Sequence, residues 1–200
     1  MLGAGGQTAR MAAQIVLVRH GETEWSRSLR HTGRTDVPLT PHGRQQAELV
    51  GEALGGRQFA LVLTSPLERA RETCRLAGFG ASAQPRDDLA EWDYGDYEGR
   101  TTAEIREERP GWTLFTDGVP NGETVEQVGE RADRILAEAD GTEGDVLLFA
   151  HGHILRVLAA RRLGLEPRDG RLFALDPATL SILGHEREQP VLRVWNQPVG

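Results

Sequence analysis

The sequence predicts an α/β fold of three layers: a mainly parallel central sheet with helices on both faces. Three observations carry this. Continuous apolar runs at 14–19, 59–65 and 145–150 read as strands buried on both sides. Segments with helical spacing separate them, as the crossovers between parallel strands require. Residues 92–122 break the rhythm and read as a small helical insertion over the strand ends.

The elements follow in order. Residues 14–19 are the first strand, rich in Val and Ile. Residues 40–54 (TPHGRQQAELVGEAL) are a helix, with Thr40 as N-cap and Pro41 in its first turn. Residues 59–65 (FALVLTS) are the second strand, and 66–77 a helix that again follows Ser-Pro. In 124–139, Val125, Val128, Ala132, Ile135, Leu136 and Ala139 recur at helical spacing. Residues 145–150 (DVLLFA) are the third buried strand and 154–163 the helix after it. Two further strands are expected at 179–183 and 191–195.

Composition bounds the function. The 200 residues suit one domain, here 14–200, and residues 1–13 are small and polar, a disordered segment or an extension ahead of the domain. Hydrophobic content of 38% and charged content of 26% are ordinary for a globular chain, and no run is long enough to span a membrane. A net charge of −7, with basic residues spread along the chain, disfavours nucleic acid as a partner. All 23 basic residues are Arg, which excludes Schiff-base chemistry on a lysine. The single cysteine, Cys74, leaves no internal disulfide and no Cys-based zinc site, so a cytoplasmic location is expected.

Three strands end in reactive residues. The first ends in Arg19-His20-Gly21, the second in Thr64-Ser65-Pro66 with Arg69 one helical turn on, the third in His151-Gly152. In a parallel sheet these ends share one edge, where ligands bind. Arginine forks match phosphate oxygens, and a neutral imidazole is a competent nucleophile toward phosphorus near neutral pH. Gly21 and Gly152 would let the backbone approach a phosphate, with helix N–H groups adding donors. One strand-end His or Arg is usually structural; two histidines, each followed by Gly, with two arginines at matching sites, point to one phosphate pocket. The leaving oxygen needs a proton. The stretch LAEWDYGDYEG holds Glu91, Asp93, Asp96 and Glu98 among aromatic residues, which are expected to raise a carboxyl pKa. The residues alone do not choose among the four.

These motifs resemble a known family. LVRHGETEW, TSPLERARET, LAEWDYGDYEG, NGETVEQVGERADR and FAHGHILRVLAA are similar, in order, to those of the histidine phosphatase superfamily, in its phosphoglycerate mutase-like branch. The likeness runs from Gln14 to about Leu165. It implies His20 as the phosphorylated residue, Arg19, Arg69 and His151 as phosphoryl ligands, and Glu91 as the acid/base residue. It further implies substrate contacts at Gly21, Ser26, Tyr94, Gly152, and at Thr32 and Gly33, partly through their backbone N–H groups. His153 and Arg156 resemble a pattern of the sugar-phosphate phosphatases; His153 reads equally as a polar helix residue.

The reaction implied is hydrolysis of small phosphomonoesters, sugar phosphates among them, through a phosphohistidine on His20. The resemblance is strongest to acid phosphatases and sugar bisphosphatases. A mutase would need a second anion clamp, built in the family from a Lys and adjacent arginines. This chain has no Lys, and the insertion carries Arg100, Arg106 and Arg109 singly. A non-catalytic phospho-ligand module would be expected to lack His20, Glu91 or His151, and all three are present. Trp92 and Trp112 are candidates for a pocket wall or for plain core. No cofactor and no metal is expected, since arginines stand where other phosphatases use metal ions. Among assemblies, a homodimer is one the resemblance allows.

Overall fold

The computed structural model describes residues 13–200, so the lead-in expected over 1–13 lies, apart from Ala13, outside the described residues. The elements are β1 (Ile15–Arg19), α1 (Glu24–Arg27), α2 (Pro41–Leu54), β2 (Leu61–Thr64), α3 (Glu68–Leu76) and β3 (Ala83–Pro85). The insertion contributes α4 (Thr102–Glu108) and α5 (Leu114–Asp117). There follow α6 (Val125–Asp140), β4 (Val146–Ala150), α7 (Gly152–Arg162), β5 (Leu180–Glu186) and β6 (Gln189–Gln197).

The sheet order is β3-β2-β4-β1-β5-β6. The first four strands are parallel to one another, and β5 and β6 join antiparallel at one edge. The parallel strands are covered on both sides, which is why they read as unbroken apolar runs. Their alternate residues supply two cores. Val16, Val18, Val62, Leu147 and Phe149 pack with Val50, Leu54 and Cys74 under α2 and α3. Ile15, Leu17, Leu63, Leu148 and Ala150 pack with Ile135, Ile154 and Leu158 under α6 and α7.

Caps set most helix starts. Thr40 accepts from the Gly43 amide at 3.0 Å, and Thr124 forms a reciprocal pair with Gln127. The helix expected from Pro66 starts later, at Glu68, with no side-chain cap. Ser65 is drawn instead into the site below. Two elements were not expected: the three-residue edge strand β3 and the one-turn α1. Trp92 and Trp112, 0% and 2% exposed, are core of the insertion, their indole N–H groups given to the Glu123 and Gly118 carbonyls.

Candidate active site

β1 and β4 are adjacent and parallel, with Arg19 opposite Ala150. The next residues, His20 and His151, therefore leave the sheet side by side. The His20 amide donates to the Ala150 carbonyl at 3.0 Å, and the two imidazoles sit edge to face with centroids 5.1 Å apart. Both are buried.

The tautomers follow from their partners. Nδ1 of His20 lies 2.8 Å from the Gly21 carbonyl, to which it must donate, so the lone pair is on Nε2. Nδ1 of His151 accepts from Nε of Arg69 at 3.1 Å, so its proton is on Nε2, donated to Ser65 Oγ at 2.7 Å. Burial, then Arg69 and Arg19, hold the His20 pKa well below its ordinary value. Burial, then Arg69 and His20, do the same for His151. Both rings are neutral at pH 7, and His20 presents an unprotonated Nε2.

His20 lies in a cavity of about 480 Å³, whose lining includes Arg19, Glu91, Tyr94, Gly152 and His153. Ser26 and Thr32 line it as well. Arg19 gives Nη1 to the Leu175 carbonyl, while its buried Nε has no partner among the described residues. Arg69 and His151 are not lining residues; the His151 ring packs against that of His20, and Arg69 is bonded to His151. The terminal nitrogens of Arg69 donate to the carbonyls of Thr35 (2.9 Å), Thr32 (2.9 Å) and Gly33 (2.8 Å). With Nε on His151, about one of its five N–H groups is uncommitted.

Of the four acidic candidates only Glu91 reaches the cavity. Asp93 pairs with Arg34, Asp96 binds Asn121, and Glu98 accepts the amides of Gly33 and Thr35 at 3.0 Å. Glu91 caps α7, whose N-cap residue is His151. Its carboxylate accepts from the amides of His153 and Ile154, each at 3.0 Å, and from its own neighbour Trp92 at 3.0 Å. The expected upward shift of its pKa is corrected here. Burial does push the carboxyl up, but the three backbone amides from which it accepts favour its charged form, and the net shift is downward. The carboxyl is held well below its usual range because it faces a helix N-terminus rather than an aromatic wall.

Two expected substrate contacts are not at the cavity. Gly21 is needed for packing: a Cβ there would lie 2.3 Å from the Gly43 carbonyl oxygen. Gly33 gives its amide to Glu98, and a Cβ there would be 2.6 Å from that carboxylate. Conversely, His31, Leu29, Arg30 and Leu175 line the cavity and were not singled out. They lie in irregular segments, where no periodicity marks which side chains face inward. His31 stacks near Tyr94, Trp112 and His153, and burial, then His153, lowers its pKa to about 4. Tyr94 donates to Nδ1 of His153 at 2.6 Å. Burial and then Glu91 keep its phenol protonated, far above the ordinary pKa.

A larger groove, about 650 Å³, runs beside α3 and β3. Its Glu72 is paired with Arg44 and Arg75, and its Cys74 thiol is pushed up to about 12 by burial, so it offers no comparable chemistry. Among the described residues no three His, Cys, Asp or Glu side chains are grouped as metal ligands, and no helix is long and apolar enough to cross a membrane.

A neutral histidine with a free Nε2, an unpartnered arginine nitrogen and a buried carboxylate are the equipment of a phosphoryl-transfer enzyme. Residues 15–198 match the histidine phosphatase superfamily, branch 1, and the chain belongs to that family. It is 43% identical over 192 residues to an acid phosphatase of Mycobacterium tuberculosis (strain ATCC 25618 / H37Rv), covering 92% of this chain and 94% of that one. It is 40% identical over 188 residues to sedoheptulose 1,7-bisphosphatase of Saccharomyces cerevisiae (strain ATCC 204508 / S288c), covering 78% and 69% respectively. The solved structure of the Rv3214 product of Mycobacterium tuberculosis superposes with a TM-score of 0.88 at 42% identity, over 94% of this chain and 99% of that one. The chain is accordingly a phosphoric monoester hydrolase by class.

Proposed function

We propose that this chain hydrolyses small phosphomonoesters, sugar phosphates in particular, through a phosphohistidine on His20. The observation that carries the reading is the His20 tautomer: Nδ1–H is fixed on the Gly21 carbonyl and Nε2 is left free, neutral and beside Arg19. The likeness to an acid phosphatase and a sugar bisphosphatase supports the substrate class.

Nε2 of His20 attacks phosphorus and the bond to the ester oxygen breaks. Arg19 and the uncommitted N–H of Arg69 hold the phosphoryl oxygens, and the Gly21 carbonyl stabilises the charge that develops on the ring. Glu91 passes a proton to the leaving oxygen. Its low pKa in the free enzyme means that this proton arrives with the substrate. A phosphomonoester binds as its monoanion, and the acidic proton moves to Glu91 as the two negative groups are brought together. In the second half, Glu91 takes a proton from water, the oxygen attacks phosphorus, and the P–N bond breaks to regenerate neutral His20.

The insertion arginines offer no second clamp of the mutase kind: Arg100 is paired with Glu108 at 2.7 Å, Arg106 donates to the Trp112 carbonyl and Arg109 to the Tyr97 hydroxyl. A cytoplasmic location belongs to the same reading, supported by the single buried cysteine. The test is phosphate release in excess EDTA from p-nitrophenyl phosphate and a panel of sugar phosphates. Turnover that is lost in His20→Ala is expected; turnover that survives this change, or that EDTA removes, overturns the mechanism.

A further inference from the structure

Leu29 is the most exposed large apolar side chain among the described residues, at 78%. It also lines the catalytic cavity, which places it at the mouth. Its backbone is left-handed, with φ of 57°. The local structure sets that angle. α1 ends at Arg27 with Ser28 as C-cap, and Leu29 is the next residue, its amide on the Ser26 carbonyl at 3.2 Å. Helices commonly end through a left-handed residue, but glycine or asparagine usually fills the place, because a larger side chain is strained there.

The free protein recovers little for this strain, since a side chain so exposed buries little apolar surface. Nor is the position a loose one. Before it, Thr23 and Ser26 cap α1 reciprocally. After it, Arg30 forms a bridge with Thr101 and gives Nη1 to the Gly99 carbonyl at 2.7 Å, and the His31 amide donates to the Arg100 carbonyl at 2.9 Å. The chain on both sides is fixed, so the leucine is held where it stands. Leu172, 66% exposed, has neither a left-handed backbone nor a place in the lining. Leu29 shares the lining with Leu175 and Ala103, which gives the cavity an apolar part that the chemistry at His20 does not use. A strained residue in a cavity wall points to a ligand that repays the strain.

We propose that Leu29 is a specificity residue that receives the apolar part of the substrate's alcohol, so that alkyl and aryl phosphomonoesters are substrates alongside phosphorylated sugars. This goes beyond the sugar-phosphate reading and rests on the phosphatase reading above. An apolar chain lying against Leu29 displaces the water around it and supplies the burial that the free protein lacks. Leu29 touches no reacting atom; it acts on the part of the ester that leaves.

The experiment measures kcat/KM by phosphate release for ethyl, butyl, hexyl and octyl phosphate. The leaving oxygen is that of a primary alcohol throughout, so the bond chemistry is constant and only apolar length changes. Full burial of a methylene is worth about fourfold, and half of that transfer at an open mouth about twofold. The ratio of hexyl to ethyl phosphate should therefore exceed about tenfold in the wild type. Leu29→Asn, which suits a left-handed backbone, should bring the ratio within about threefold of one, with a melting temperature no lower than that of the wild type. Leu29→Met, still apolar, should keep most of the ratio. Using a ratio removes any general change of rate in the variants. A flat series in the wild type, or a ratio that Leu29→Asn leaves in place, overturns the proposal while p-nitrophenyl phosphate is still hydrolysed. A ratio lost together with melting temperature overturns it too, because the leucine then holds the loop rather than the substrate. No release from any ester, p-nitrophenyl phosphate included, overturns the phosphatase reading and this proposal with it.

Discussion

Nε of Arg69 donates to Nδ1 of His151 at 3.1 Å, and this bond decides where the proton of His151 sits. Both side chains are fully buried. The proton is forced onto Nε2 and from there onto Ser65 Oγ, which also accepts the Leu67 amide at 3.2 Å. We predict that Ser65→Ala, by orphaning a buried N–H, lowers stability by about 1–3 kcal/mol. Chemical denaturation measures it; an unchanged midpoint and slope would refute the assigned tautomer.

The loop of residues 32–36 is gripped from both sides. Arg69 takes the carbonyls of Thr32, Gly33 and Thr35, and Glu98 takes the amides of Gly33 and Thr35. Glu98→Ala should release the loop and let Arg69 drift from its place against His151. The expected loss in kcat/KM is about ten- to a hundredfold, the scale of an ångström of misplacement. Faster amide hydrogen exchange at Gly33 and Thr35 should accompany it; fast exchange with full activity would show that the loop does not position Arg69.

Glu91→Gln removes the proton carrier at the same side-chain size, giving up at least one of the three backbone bonds because its amide nitrogen cannot accept. Hydrolysis of sugar phosphates, whose leaving oxygen is a poor anion, should fall by about 10²–10⁴-fold. The His20 phosphorylation step with p-nitrophenyl phosphate, whose leaving group needs no proton, should fall far less. Rapid-quench measurement of the first turnover separates the two, and equal losses would deny Glu91 its role as acid.

Four cavity-region histidines, His20, His31, His151 and His153, have lowered pKa values, burial being the first cause in each. Below an unfolded value of about 6.5 the unfolded chain therefore binds more protons than the folded one. Stability is full above that pH and is lost as pH falls through it. Glu91 acts in the same sense at lower pH, its contribution present above the unfolded carboxyl value and lost as pH drops through its lowered one. For His31, with its pKa near 4, the ceiling is about 3 kcal/mol between pH 6.5 and 4, less where water reaches the ring. Melting temperature should fall on acidification below pH 6.5, and His31→Gln should flatten that fall. A wild-type melting temperature that is constant from pH 7 to 4.5 would contradict the neutral cluster.

The same neutral histidines give the activity its pH profile. The nucleophile is unprotonated well into acid, whereas the proton on Glu91 is carried in by the substrate. Above the second phosphate pKa of about 6, kcat/KM should fall about tenfold per pH unit. A rate that rises into alkaline pH would rule out substrate-borne protonation.

The strands and the long helices were legible because burial on one or two faces leaves a period in the sequence, and Thr40 and Thr124 mark helix starts by chemistry that acts within three residues. The convergence of His20 and His151 was legible for the same reason: both follow strands that had to be parallel. What sequence patterns did not reveal depends on partners far along the chain. Glu91 looked like a carboxyl against aromatic residues, yet it is the cap of a helix that begins some sixty positions later. The amide of Gly33 looked available to substrate but belongs to Glu98. Ser65 reads only as the residue before a helix and is a partner of His151. β3 and α1 are too short to show a period at all.

Gly21 and Gly43 meet without a side chain between them. A Cβ on the first would stand 2.3 Å from the Gly43 carbonyl oxygen, and one on the second 2.1 Å from that of Glu22. The loop that carries His20 thus rests directly on the main chain of the first turn of α2, a contact with no rotamers to adjust. In a saturation library these two positions should behave as near-absolute, each rejecting even a single methyl group, while the side chains around them drift. The reach of the nucleophile is therefore inherited as backbone geometry, and an engineer who wishes to reshape the pocket can redraw its walls but must leave that hinge of two glycines untouched.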